Sequence, residues 1–176
     1  MANRNSLMML IKAIDQLKKK NSRVELHIYS PNIEDLKIGL MEGVKPYQAV
    51  NHKKIPSLLQ QYDLVYLPLD FDKKSIDYSR FSMPTKISEY MISGLPILIN
   101  APQDTAVYQY AEKNQIAFLC KNNTIKNLSG LLLEIKTDTN QRETYGQTAR
   151  NLAMKDFDIY KVRDNFRDAL KSGVRK

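Results

Sequence analysis

Apolar side chains along the chain recur in two rhythms, and the rhythms alternate. Leu7, Leu10, Ile11, Ile14 and Leu17 return at three- and four-residue steps, which predicts an amphipathic helix capped by Asn5 or Ser6. VELHIYS, from Val24 to Ser30, then reads as a buried strand. IEDLKIGLMEG reads as a short helix closed by Gly43, and VKPYQAV as a second strand that Pro46 marks as ragged or at an edge. HKKIPSLLQQY predicts a helix, and DLVYLPL, from Asp63 to Leu69, a third and strongly apolar strand. A polar stretch from Asp70 to about Met83 reads as a long loop. PTKISEYMISG then forms a helix with Pro84 in its first turn and Gly94 as its stop. PILIN is the fourth strand, and a helix around Thr105 to Lys113 leads to IAFLCK, the fifth. Asn123 or Thr124 caps a helix with Leu128, Leu131 and Ile135 on one face. Two further helices follow, the last with Ile159, Val162, Phe166 and Leu170 on one side.

Strands this short and apolar are the kind covered on both faces. Their alternation with helices predicts an α/β fold, a Rossmann-like doubly wound parallel sheet built with right-handed crossovers. The length of 176 residues suits one domain spanning 1–176. The chain opens on a helix, so the strand that usually leads such a unit is missing, and the sheet should have a gap at or near its centre.

Charge narrows the partners. The formal net charge is +8, which favours phosphates or an anionic membrane surface. Basic and acidic residues are interspersed, and the longest basic run, Lys18 to Lys20, closes the first helix, where it complements the helix dipole. With no interleaved aromatic and basic face, nucleic acid is not an expected partner. A single cysteine, Cys120, excludes an internal disulfide or a Cys-rich metal site, and with only two histidines no metal is expected. No run approaches the roughly 18 apolar residues of a membrane span, and the start has no signal-peptide layout. A cytoplasmic protein is expected, one whose positive charge would suit peripheral contact at the inner membrane face.

Candidate chemistry sits where open parallel sheets bind ligands, beyond the carboxyl ends of their strands. The 14-residue stretch DFDKKSIDYSRFSM runs straight into PTKISEYMISG. Free N–H groups at that helix start can hold a phosphate, and Ser82, Thr85, Arg80 and Lys86 can add hydroxyls and charge. Glu89 follows one turn later, an acceptor suited to sugar hydroxyls. A plainer reading makes Lys86 and Glu89 a solvated surface pair.

DLVYLPL followed by MPTKISEYMISGLPILINAP resembles the signature stretch of GT-B glycosyltransferases of the retaining group 1 family. The pattern P-x-K-x-x-E-Y-x-x-x-G-x-P falls on Pro84, Lys86, Glu89, Tyr90, Gly94 and Pro96. SLMMLIKAIDQL, VELHIYS, YQAVNHKKIPSLLQQYDLVYLP and FDIYKVRDNFRDALKS are similar, in order, to the flanking elements of that family's C-terminal domain. The resemblance implies a donor-binding half of a GT-B fold that takes a nucleotide-diphosphate sugar and no other cofactor. It implies that Glu89 holds the ribose, that Lys86 and the backbone of Ser82, Met83, Pro84 and Thr85 lie beside the diphosphate or sugar, and that Val50 lies against the base. Phe81 stands eight positions before Glu89, where many members carry a second glutamate, and Asp77 and Asp70 are the acids nearby. The resemblance also implies an N-terminal GT-B domain or partner chain that holds a glycan or lipid-linked acceptor, without which this chain should be inactive. The alternatives are a non-catalytic nucleotide-binding or interaction module and an epimerase-like GT-B domain.

Overall fold

The computed structural model describes residues 3–36 and 41–173. Five short strands run through it: β1 (Leu26–Ser30), β2 (Val44–Gln48), β3 (Val65–Pro68), β4 (Ile97–Asn100) and β5 (Phe118–Cys120). Every pairing is parallel, as expected, but the strands form two sheets rather than one: β1 with β2, and β3, β4 and β5 in that order. The break falls between β1 and β3. β2 is an exposed edge, consistent with Pro46 inside it.

Eight α-helices accompany the strands among the described residues: α1 (Arg4–Lys19), α2 (Ile55–Leu59), α3 (Lys73–Ser79), α4 (Lys86–Ser93), α5 (Ala106–Asn114), α6 (Ile125–Thr137), α7 (Thr139–Asp156) and α8 (Ile159–Gly173). They cover both faces of the three-stranded sheet, and the alternation of side chains along each strand decides which face is which. Val65, Leu67, Ile97 and Ile99 pack with Ile87 and Met91 of α4, Val107 and Ala111 of α5, and Ala149 and Ala153 of α7. Leu98 and Phe118 point the other way, into Leu10, Ile14 and Leu17 of α1 and Leu128, Leu132 and Ile135 of α6. This two-sided cover makes the apolar strands doubly wound.

Three expectations change. The helix read in IEDLKIGLMEG is a short 3-10 turn over Ile33–Leu36, and residues 37–40 lie outside the described residues. The stretch after β3 is not a plain loop: Asp72 caps α3 within it, accepting hydrogen bonds from the Ser75 N–H at 3.1 Å and hydroxyl at 2.6 Å. Neither Asn5 nor Ser6 caps α1. The helix begins at Arg4 after Asn3 in the left-handed region, and a carboxylate from across the fold does the capping. Asp70, just past β3, accepts the Ser6 N–H at 2.7 Å and the Asn5 N–H at 3.3 Å, and is itself buried.

The face of α8 that carries Ile159, Val162, Phe166 and Leu170 is open to solvent, each of these side chains being at least half exposed. Among the described residues no helix is long and apolar enough to cross a membrane.

Candidate functional site

Two contacts gather residues that follow the strands: the turn after β2 meets α4, and the amino end of α1 meets the end of β3. The α1 end is built around a buried polar network. The Ser6 hydroxyl donates to the Leu69 carbonyl at 2.7 Å, and Asn100 donates to the Tyr66 hydroxyl and to Asn123, both at 2.9 Å. Asn123 in turn donates to the Ser6 hydroxyl at 3.1 Å, and Tyr66 to the Ser6 carbonyl at 3.1 Å. Burial pushes the Tyr66 phenol well above its usual range, so it stays a neutral donor. With Asp70 filling the amino end of α1, that helix end is already satisfied by a protein anion.

The amino end of α4 is different. Thr85 stands at the N-cap with helical dihedrals and no side-chain hydrogen bond to the first turn. Pro84 precedes it, and its carbonyl accepts the Ile87 N–H at 3.0 Å. Ser82, Thr85 and Lys86 are exposed, while Met83 and Pro84 are half-buried, and Met83 leans on the core. The sequence explains this geometry: Ile87 and Met91, four apart, anchor α4 in the core and leave Lys86, just before them, and Glu89, between them, outward. Gly94, at φ 76°, ends the helix in the left-handed conformation that glycine adopts without strain.

Glu89 is 38 % exposed, and one of its carboxylate oxygens lies 3.0 Å from Nε2 of His52 in the turn after β2. That contact brings the Val50 turn to α4. Val50 ends half-buried two residues before His52, and Asn51 fixes the turn between them by accepting the Lys53 N–H at 3.0 Å. Beside Glu89, burial and then the Glu89 charge push the Tyr90 phenol up. A groove of about 430 Å³ lies along the same side of α4, lined by Ser88, Glu89, Ile92, Met154, Phe157 and Asp158. A larger trough of about 700 Å³ lies elsewhere, between α1 and α6.

Arg80 is paired with Asp104 rather than Glu89. At the carboxyl end of α3, its guanidinium donates to Asp104, in the loop after β4, at 2.9 Å. Asp77 is exposed on α3, and Phe81, at the position of the second family glutamate, is 90 % exposed. Reasoning from sequence missed His52 as the partner of Glu89 and Asp70 as the cap of α1. Local signals could not find either contact, since the partners lie 37 and 64 residues apart. Among the described residues no group of three or more His, Cys, Asp or Glu side chains could hold a metal ion.

The model of the family described as glycosyl transferases group 1 matches residues 2–152. No curated protein matches the chain. Solved structures do. The crystal structure of Anabaena HepE in complex with UDP-glucose is 18 % identical, with a TM-score of 0.74 over 98 % of this chain and 46 % of that one. WaaG, a glycosyltransferase involved in lipopolysaccharide biosynthesis, is 18 % identical, with a TM-score of 0.65 over 95 % and 44 %. The α,α-trehalose 6-phosphate synthase from Burkholderia multivorans is 13 % identical, with a TM-score of 0.69 over 99 % and 41 %. At these identities the likeness is one of fold, and this chain spans less than half the length of each of these three chains.

Proposed function

Because the chain belongs to the glycosyl transferases group 1 family, we propose that residues 1–176 form one donor-binding half of a GT-B glycosyltransferase and take a nucleotide-diphosphate sugar at the rim around α4. The observation that carries this reading is the placement of Glu89: a half-exposed carboxylate one turn along the helix whose amino end carries Thr85 and Lys86, facing the turn after Val50. In this reading Glu89 accepts the ribose hydroxyls and the base lies toward Val50. The diphosphate meets the N–H groups from Ser82 to Thr85, with Lys86 beside it. UDP-glucose bound to HepE, a protein of this fold, supports a nucleotide sugar as the ligand class.

The chemistry asked of this half is electrostatic. As the sugar leaves, negative charge grows on the diphosphate, and oriented amides with nearby cations stabilise that charge without reorganising. Arg80 joins them only by leaving Asp104. The acceptor, a glycan or a lipid-linked glycan, belongs to a second half, an N-terminal GT-B domain or a partner chain, which closes the other wall of the cleft. Alone, residues 1–176 bind the donor and turn nothing over. The +8 charge suits approach to an anionic inner membrane face.

Calorimetric titration of UDP, GDP and ADP into the chain tests this. Saturable binding of one of them, weakened by Glu89→Ala, is the expected result. Equal null results for all three would overturn it.

A further inference from the structure

His52 opens the 3-10 turn His52–Lys54 that follows β2. The backbone of this turn is pinned. The Asn51 side chain accepts the Lys53 N–H at 3.0 Å, and the Asn51 carbonyl accepts the Lys54 N–H at 2.8 Å. The imidazole itself is 80 % exposed, and Nε2 lies 3.0 Å from a carboxylate oxygen of Glu89. An ionised carboxylate only accepts hydrogen bonds, so the neutral imidazole must carry its proton on Nε2. That leaves Nδ1 to take up the second proton. Among the described residues Nδ1 of His52 makes no hydrogen bond, so protonation breaks none and turns the contact with Glu89 into an ion pair.

No other charge nearby takes over this pairing. Lys53 and Lys54 flank His52 on its own turn, and Lys86 opens α4 ahead of Glu89; all three are cations. Asp158 borders the same groove as Glu89, but its carboxylate caps α8, accepting the Tyr160 and Lys161 N–H groups at 2.9 and 3.1 Å. The second of the chain's two histidines, His27, is engaged elsewhere, with Nδ1 2.9 Å from the Tyr62 hydroxyl and Nε2 3.5 Å from Glu25.

We propose that His52 is a pH-operated gate on the donor pocket. As imidazolium it pairs with Glu89 and withholds that carboxylate from the ribose; as neutral imidazole it gives the carboxylate up. Gating requires that Glu89 hold the ribose, as proposed for the donor site. A carboxylate takes two neighbouring hydroxyls with its two oxygens, and His52 sits on one of these. A hydrogen bond with charge on both partners is stronger than one with charge on a single partner, so protonation makes the imidazole harder to displace. An imidazole changes charge between about pH 5 and 8. Donor affinity therefore falls as pH falls through that range. With the side chain exposed and the turn pinned, the gate opens by rotating one side chain and leaves the fold unchanged.

Calorimetry at about pH 5.5 and about pH 8, on the unaltered chain and on His52→Gln, tests the gate. The ligand is the glucose conjugate of whichever of UDP, GDP and ADP binds. Its phosphates are both diesters and have no proton to lose in this range, unlike the terminal phosphate of a free nucleotide. The unaltered chain should bind it about threefold more weakly at the lower pH, the size expected of an exposed ion pair. His52→Gln, neutral throughout, should bind equally at both. A step that persists in His52→Gln, no step in the unaltered chain, or tighter binding at the lower pH would each overturn the gate and leave the donor site standing. No binding of any nucleotide at either pH would remove the donor site, and the gate with it.

Discussion

Nε2 of His52 and a carboxylate oxygen of Glu89 lie 3.0 Å apart and tie the turn after β2 to the middle of α4. The His52 side chain is 80 % exposed, so the contact adds little to folding, but it occupies the group assigned to the ribose. A ligand that uses Glu89 has to share or displace this partner. Exposed pairs are worth about 0.2–1 kcal/mol, so His52→Ala should tighten UDP binding by about 1.5- to 5-fold. Glu89→Ala should weaken it by about tenfold or more, through the lost charged acceptor. Calorimetry reads both. Looser binding in His52→Ala would make the imidazole a ligand group rather than a competitor.

Lys86 and Arg80 should separate in a comparison of UDP with uridine. Lys86 is exposed at the start of α4, whereas Arg80 is held by Asp104 at 2.9 Å. Lys86→Ala is expected to weaken UDP by about three- to tenfold and uridine hardly at all, because only UDP carries the diphosphate. Arg80→Ala should have the smaller effect on UDP. Equal losses for UDP and uridine in Lys86→Ala would remove the diphosphate from that helix end.

Much of this arrangement was legible in the sequence, and the parts that were not share a cause. Leu7, Leu10, Ile11, Ile14 and Leu17 announce α1 because the register of a single helix is local, and DLVYLPL announces β3 for the same reason. The spacing of Pro84, Thr85, Lys86 and Glu89 puts a cation and an acid one turn apart without any tertiary information. What pairs with what is non-local. Asp70 reads as a loop acid or a stand-in sugar ligand, yet it caps α1 from the end of β3. KKSIDYS has no apolar rhythm, so α3 reads as loop until the Asp72 cap is seen. The apolar row of α8 announces a helix, but not that the row would remain uncovered.

Asp72 makes α3 sensitive to acid. The Ser75 hydroxyl and then the Ser75 N–H hold its carboxyl below its ordinary 3.8. A depressed carboxyl stabilises the folded form fully above that ordinary value and loses its contribution as pH falls through the depressed one. Exchange at the Ser75 amide should therefore be pH-independent, after correction for intrinsic rates, down to about pH 4, and should accelerate below it. Asp72→Asn retains a cap and should remove the acid-induced step. An unchanged step in Asp72→Asn would place its origin in another carboxyl.

Gly146 sets the approach of α7 to α4. A Cβ at this position would stand 2.1 Å from the Gly94 carbonyl oxygen and 3.1 Å from its carbonyl carbon, both backbone atoms that no rotamer change can move aside. Gly94 ends α4, whose other end carries Lys86 and whose middle carries Glu89, so a shift of α7 is passed to the rim along a rigid helix. Gly146→Ala gains about 1 kcal/mol in helix propensity but incurs an overpacking cost of about 1–3 kcal/mol or more. Contact with backbone at this distance puts the cost at the upper end, for a net loss of about 2 kcal/mol. That lowers Tm by about 4–8 °C in a chain of this size. Gly130, in α6 with open space around it, is the control: Gly130→Ala should raise Tm by a few degrees. A Gly146→Ala protein as stable as the parent would show that α7 can move off α4 at little cost, and UDP affinity measured on that variant would report whether the rim moves with it.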